Sequence, residues 1–228
     1  MTHDSEEWTG PIADGGEPLP TLRREVRFDG AVWGVVSDTV DFGDGTAVRD
    51  IQVHPGAVAV VALDDADRVL LIRQYRQPIG WYLFEPPAGL LDHVGEPPWQ
   101  TAARELAEEA GYTAAGWNVL ADVFLSPGGS SEAIRIYLAR GLVAIPGGRV
   151  QTGEREESHL PRVWVDLDDA RDLVLGGRIG SPSSAMGILA AWVARAGDWA
   201  VLRPKDAPWA ARDHLLATGR VYERRTGV

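Results

Sequence analysis

The sequence predicts an α/β (α+β) protein in which helices cover a mixed β-sheet. Three observations carry this. Short apolar, β-branched runs bounded by turn residues read as strands, the clearest being Val58–Leu63 and Val69–Tyr75. Between later strands stand segments with helix start and stop signals, such as Pro97-Pro98 at one end and Gly111 at the other. Hydrophobic residues make up 45% and charged residues 24% of the chain, which is globular composition and rules out wholesale disorder or a fibre.

Taken in order, residues 1–20 carry five acids and no Lys or Arg among several Gly and Pro, and are expected to be a mobile acidic tail. Residues 21–56 are expected to form an N-terminal β element. Val32–Asp41 and Thr46–Val53 flank Asp44-Gly45, a hairpin turn. An isolated two-stranded hairpin is marginal, and this one is poor in apolar residues, so it needs a surface to pack on, such as a partner subunit. The main domain is expected over 57–197. Its first two strands, Val58–Leu63 and Val69–Tyr75, are joined by a turn at Asp64–Asp67. Glu85-Pro86-Pro87-Ala88-Gly89 cannot be helix interior and reads as a loop. The helix opened by Pro97-Pro98 runs to about Ala110. Strands follow at Trp117–Leu125, Ala133–Ala139 and Val163–Leu167. Asp166 can cap a helix ending at Gly176-Gly177, and a last helix covers about Ser184–Ala196. Residues 198–228 form a C-terminal tail rich in Arg and Trp that packs on the body or a partner.

Charge and composition bound the function. The net charge of −11 argues against binding nucleic acid through a general basic footprint, although acidic side chains can meet phosphates across metal ions. There is no cysteine, which excludes disulfides, thiol catalysis and zinc–thiolate sites. The apolar runs are too short to span a bilayer, and the acidic N-terminus is no signal peptide. A soluble, cytoplasmic protein is expected. The five histidines are scattered without zinc-site spacing.

The chemistry concentrates in Arg104-Glu105-Leu106-Ala107-Glu108-Glu109-Ala110-Gly111-Tyr112. Glu105, Glu108 and Glu109 stand at i, i+3 and i+4, on one helix face. Like charges at this spacing repel, and divalent cations with oxygen ligands relieve that repulsion. A solvated acidic helix face with Arg104 as its local partner is the plainer alternative. Upstream residues extend the pattern to Gly89-x6-Glu96-x7-Arg104-Glu105-Leu106-x-Glu108-Glu109-x-Gly111-Tyr112. This resembles the Nudix hydrolase box, G-x5-E-x7-R-E-U-x-E-E-x-G-U with U apolar. Its last part alone arises by chance roughly once per million start positions at ordinary residue usage. Two features depart from it: one extra residue within Leu90–Gly95, and Tyr112 in an aliphatic position.

Flanking motifs resemble the ADP-ribose pyrophosphatase subgroup. They are Gln74-Tyr75-Arg76, Glu85-Pro86-Pro87-Ala88-Gly89, the His54–Val58 entry to the first core strand, and Ser126-Pro127-Gly128-Gly129-Ser130-Ser131-Glu132, whose proline lies 15 residues beyond Tyr112. The resemblance implies a Nudix α/β/α sandwich, a homodimer made through the N-terminal sheet, and a small-molecule nucleotide substrate with Mg²⁺, or Mn²⁺, as cofactor. It implies Glu105, Glu108, Glu109 and the Ala88 carbonyl as metal ligands, with Glu108 also counted among the catalytic groups. Gly89, Glu96 and Arg104 are then structural members of the box. Arg76, Glu85, Gly128 and Glu132 are implied on the substrate side, Arg76 at the pyrophosphate or a ribose and Glu132 toward a substrate bound mainly by the other subunit. The subgroup often takes its general base from a loop after the core strands. Here that loop, Gly147–Pro161, offers Glu157 and Glu156 ahead of Glu154. The expected reaction is hydrolysis of ADP-ribose to AMP and ribose 5-phosphate. The alternatives are another ADP-sugar, a dinucleotide or a dinucleoside polyphosphate as substrate, or a module that senses ADP-ribose without cleaving it.

Overall fold

A computed structural model of the chain describes residues 10, 12–93, 95–149 and 160–223. Half of the acidic N-terminal tail and all three loop glutamates, Glu154, Glu156 and Glu157, lie outside the described residues.

The chain opens with a three-stranded antiparallel sheet, β1 (Thr21–Asp29), β2 (Gly34–Asp41) and β3 (Thr46–Val53), in the order β1-β2-β3. The hairpin at Asp44-Gly45 is present, and β1 adds a third strand within the expected N-terminal β element. Its run TLRREVRFD sets Leu22, Val26 and Phe28 on one face between charged residues yet is almost wholly exposed, so its pairing with β2 rather than burial holds it as a strand. Arg24 of β1 binds the buried Asp38 of β2 through two bonds of 2.7 Å, a bidentate pair that sets the register of the two strands.

β4 (Ala57–Ala62) is buried along its whole length and runs parallel to β9 (Ala133–Ala144) at the centre of a five-stranded sheet. Between these two, in sequence, come β5 (Arg68–Arg76), β6 (Trp81–Glu85), β7 (Ala88–Leu90), α1 (Pro98–Glu105) and β8 (Tyr112–Phe124). After β9 follow β10 (Arg162–Asp166), α2 (Leu167–Leu175), α3 (Pro182–Ala196), β11 (Arg203–Pro204) and α4 (Ala210–Ala217). The central sheet has the order β11-β8-β9-β4-β7, and a smaller antiparallel sheet has the order β10-β5-β6.

The two faces of β4 feed separate cores. Ala57, Ala59 and Val61 pack with Ile134, Ile136 and Leu138 of β9, Leu167 and Ala170 of α2, and Ile188 and Ala191 of α3. Val58, Val60 and Ala62 pack with Tyr137 and Ala139, Ala102 of α1, Leu106, Ala110, Trp209 and Leu215 of α4. Helices therefore cover both faces of a mixed sheet, giving an α/β/α sandwich. At the tightest approach, a Cβ on Gly187 of α3 would lie 2.7 Å from Val61 Cγ2, so glycine lets this helix seat on β4.

Three local expectations need correction. The segment Glu85–Gly89 is not a free loop: Glu85 ends β6, Ala88 and Gly89 pair with Ala59 and Val58, and the Pro87 carbonyl accepts from Val60 N at 2.8 Å. Proline lacks a donor, yet its carbonyl serves a sheet edge. The box helix is α-helical only to Glu105, and Leu106–Ala110 form a π-helical turn closed by Gly111 at φ 73°. α3 begins at Pro182 rather than Ser184, because proline fits the first helical position. Asp166 does cap α2, accepting from Asp168 N at 2.9 Å.

Residues 203–222 pack on the body. Arg135 holds Asp122 through two bonds and donates to the carbonyls of Ala207 and Pro208, while Val221 bridges to His54.

Candidate active site

The box brings its carboxylates against β7. Glu109 Oε2 accepts from the Ala88 backbone N–H at 2.8 Å. Glu105 lies over Gly89, where a Cβ would meet its Oε1 at 2.0 Å and its Cδ at 2.2 Å. Glycine is therefore the residue that lets this carboxylate come down onto the strand. Glu105 and Glu109 are buried, at 7% and 5% exposure. Burying two glutamates from one helical turn is costly unless cations or donors meet them.

Arg104 is the local cation. Its Nη1 lies 2.7 Å from Glu105 Oε1 and 2.9 Å from Glu108 Oε2, and its Nη2 lies 3.5 Å from Glu96 Oε2. Burial alone lowers the guanidinium pKa, but Glu105, Glu108 and Glu96 outweigh it and the pKa is raised. Thr101, fully buried, donates to Glu96 at 2.8 Å. Burial tends to raise the Glu96 carboxyl, but Thr101, Arg104 and His93 together bring it below its usual range.

The residues fit a divalent cation on chemical grounds. Four carboxylates, Glu96, Glu105, Glu108 and Glu109, share the box with one guanidinium, and hard oxygen donors suit a hard cation. Arg104 Nε is buried and has no hydrogen-bond partner among the described residues. Among the described residues no three acidic or histidine side chains converge as a ready metal cage, because Arg104 stands between Glu105 and Glu108.

A second group assembles on β5, β6 and the loop before β9. Arg76 and Glu85 project from one face of the β5–β6 pair and meet at 2.6 Å, Arg76 Nε to Glu85 Oε2. Glu85 is buried and also accepts from Ser181 Oγ at 2.7 Å. Glu132 Oε1 lies 3.8 Å from His54 Nε2. Burial raises the Glu132 carboxyl, and the nearby Arg76 charge opposes that rise. Burial lowers His54 to about 4. Its Nδ1 accepts from Gly56 N at 3.1 Å, which leaves the hydrogen of a neutral ring on Nε2, toward Glu132. The turn carrying Gly128 is tied to β3 by Gln52 N to Gly129 O and Ser131 N to Gln52 O, both 2.9 Å, and Gly128 itself is exposed.

The two groups are joined covalently, since only Pro86 and Pro87 separate Glu85 from Ala88. Two stiff residues thus hold an acidic, cation-seeking surface next to an arginine whose terminal nitrogens make no protein hydrogen bond among the described residues. Such a pairing suits a substrate with adjacent phosphates. Sequence reasoning missed Thr101, His54 and Ser181 as members of these networks. Ser181 stands 96 residues from Glu85, so no local pattern could announce the bond.

The chain belongs to the Nudix hydrolase family: the NUDIX domain family matches residues 53–181, a span that contains the acidic helical turn against β7. It is a pyrophosphohydrolase, and hydrolases of this family generally work with a divalent metal ion. Among its relatives, the ADP-ribose pyrophosphatase of Mycobacterium tuberculosis is 40% identical over 201 residues, covering 88% of this chain and 95% of that protein. The ADP-ribose pyrophosphatase of Bacillus subtilis is 35% identical, covering 74% of this chain and 89% of that protein. The methanol dehydrogenase activator of Bacillus methanolicus is 36% identical over 70% of this chain and 84% of its own length. A crystal structure of an ADP compounds hydrolase superposes with a TM-score of 0.62 at 25% identity, covering 81% of this chain and 99% of that one. Among the described residues no helix is long and apolar enough to cross a membrane.

Proposed function

We propose that this enzyme hydrolyses the pyrophosphate bond of ADP-ribose in the presence of Mg²⁺, giving AMP and ribose 5-phosphate. The observation that carries the reading is that Pro86-Pro87 join Glu85, which holds Arg76, to Ala88, which donates to Glu109, in a chain 40% identical to an ADP-ribose pyrophosphatase over nearly its whole length. Glu105, Glu108, Glu109 and the Ala88 carbonyl are the residues that would hold the ion. When bound, it supplies charge neutralisation on the phosphates and acidifies the attacking water. Arg76 binds the diphosphate and orients it, and Gly128 and Glu132 border the nucleoside side. Glu85 acts by holding Arg76. The proton acceptor is assigned, on sequence, to Glu157 or Glu156. Water adds to one phosphorus, the bridging P–O bond breaks, and the proton passes to the loop carboxylate.

The active form is proposed to be a homodimer, with residues 21–56 as the dimerisation element and 57–197 as the Nudix domain. Exposed Leu22, Val26 and Phe28 on β1, with Trp81 and Tyr82 on β6, support this. Sedimentation at micromolar concentration tests it, and a fully active monomer would refute it. For the reaction, products from ADP-ribose, other ADP-sugars, dinucleotides and dinucleoside polyphosphates are separated by anion exchange with Mg²⁺, with Mn²⁺ and with excess chelator. ADP-ribose should be turned over with the highest kcat/KM, and only with metal. Preference for another compound, or full turnover in chelator, would sink the reading.

A further inference from the structure

Ser181 occupies the N-cap of the 15-residue helix α3, where a serine ordinarily accepts from a backbone N–H of the first turn. It makes no such bond. Its hydroxyl, 1% exposed, instead donates to Glu85 Oε1 at 2.7 Å. Ser183 Oγ lies 3.1 Å from Ser181 Oγ. The single Ser181 proton is spent on a carboxylate, so Ser183 is the donor of that second contact. Ser184 adds a bond of 2.7 Å to the Phe84 carbonyl, so the first turn of α3 grips the end of β6 at two successive residues. The other Glu85 oxygen holds Arg76 Nε at 2.6 Å. The result is a directed chain, Ser183 to Ser181 to Glu85, with Arg76 donating from the far side. A helix start that gives up its own cap to fix a carboxylate breaks a local rule, and such breaks mark functional positions. The positive end of the α3 dipole further favours a carboxylate there.

We propose that Ser181 is a positioning residue: acting through Glu85, it holds the Arg76 guanidinium in the orientation that receives the diphosphate of the substrate. This rests on the assignment of Arg76 given under the proposed function. With Nε committed to Glu85, the terminal nitrogens of Arg76 form the fork that a phosphate pair accepts. Ser181 touches no substrate itself, and its loss affects binding more than the chemical step.

Steady-state kinetics on ADP-ribose with Mg²⁺ test this in Ser181→Ala, Ser181→Thr, Arg76→Ala and the double variant Ser181→Ala/Arg76→Ala. Ser181→Ala should raise KM about tenfold with kcat within about twofold, on the scale of one hydrogen bond to a charged group. Ser181→Thr keeps the hydroxyl and should restore KM. Ser181→Ala should add nothing in the Arg76→Ala background, because the two residues act as one unit. Should Ser181→Ala fold poorly, Ser181→Gly removes the hydroxyl at a position where glycine caps well. Independent, multiplying effects of the two substitutions would overturn the proposal, as would a crystal structure of Ser181→Ala with Arg76 unmoved against Glu85. An Arg76→Ala enzyme with unchanged KM would overturn it too, while leaving the hydrolysis standing. Absence of ADP-ribose turnover by the wild type would instead remove the proposed substrate, and the Ser181→Ala structure would still decide the positioning role.

Discussion

A β-carbon on residue 89 would sit 2.0 Å from Glu105 Oε1. Gly89 and Glu105 are thus one device, 16 positions apart in the sequence, in which a missing side chain makes room for a buried carboxylate. Gly89→Ala should push Glu105 off β7. Half-maximal activity should then need about tenfold more metal or beyond, the usual range for disturbing a ligand or its support. The fold should survive, since Leu90 and Ala88 keep their pairing with β4. Metal titration of activity, with a thermal melt alongside, reads both; an unchanged metal requirement would show that Glu105 is no ligand.

Metal ligand and proton acceptor separate in a second comparison. Glu109→Gln keeps an oxygen that can accept from Ala88 N–H but removes the charge, so kcat should fall and metal demand should rise. Glu157→Gln, or Glu156→Gln, should lower kcat by about 10²–10⁴ with metal demand nearly unchanged, and should flatten the acid limb of the rate profile. If each of Glu154, Glu156 and Glu157 can be changed singly with less than about a tenfold loss, the base lies elsewhere.

His54 makes stability depend on pH. Its folded-state pKa, lowered by burial to about 4 from 6.5, means that the unfolded chain binds a proton over that window while the folded one does not. Stability should therefore fall as pH drops from about 6.5 toward 4. Glu132, beside it and raised by burial against the pull of Arg76, works in the opposite sense at the lower end of the window. His54→Asn keeps an acceptor for Gly56 N–H and should flatten the upper part of the decline. Urea denaturation midpoints at intervals between pH 7 and 4 measure this, and a parallel decline in the variant would rule His54 out.

Gly187→Ala tests the seat of α3. Alanine is the better helix former, yet its methyl would lie 2.7 Å from Val61 and 3.3 Å from Ile136. Overpacking should win by about 1–3 kcal/mol. A gain in stability on denaturant titration would show that the helix can shift away from β4 freely.

The box was legible because its information is local. Spacing alone put Glu105, Glu108 and Glu109 on one face, Pro98 at the helix start and Gly111 at its end, and the strands of the central sheet carried their own β-branched runs. The π turn at Leu106–Ala110 escaped notice, since the same residues satisfy an α-helical pattern. β6 escaped for a related reason. A strand without polar–apolar alternation exists through its partner, here β5.

By itself the sequence determined the family, the sandwich of helices around a mixed sheet and the acidic face that seeks a cation, because each rests on periodicity or on spacings of a few residues. Tertiary structure alone decided that Gly89 lies under Glu105, that His54 faces Glu132, and that Ser181 reaches Glu85 across 96 residues. Those are contacts between elements, set by how β4, β7 and α3 pack, and contacts at such separation leave no periodic trace in the chain.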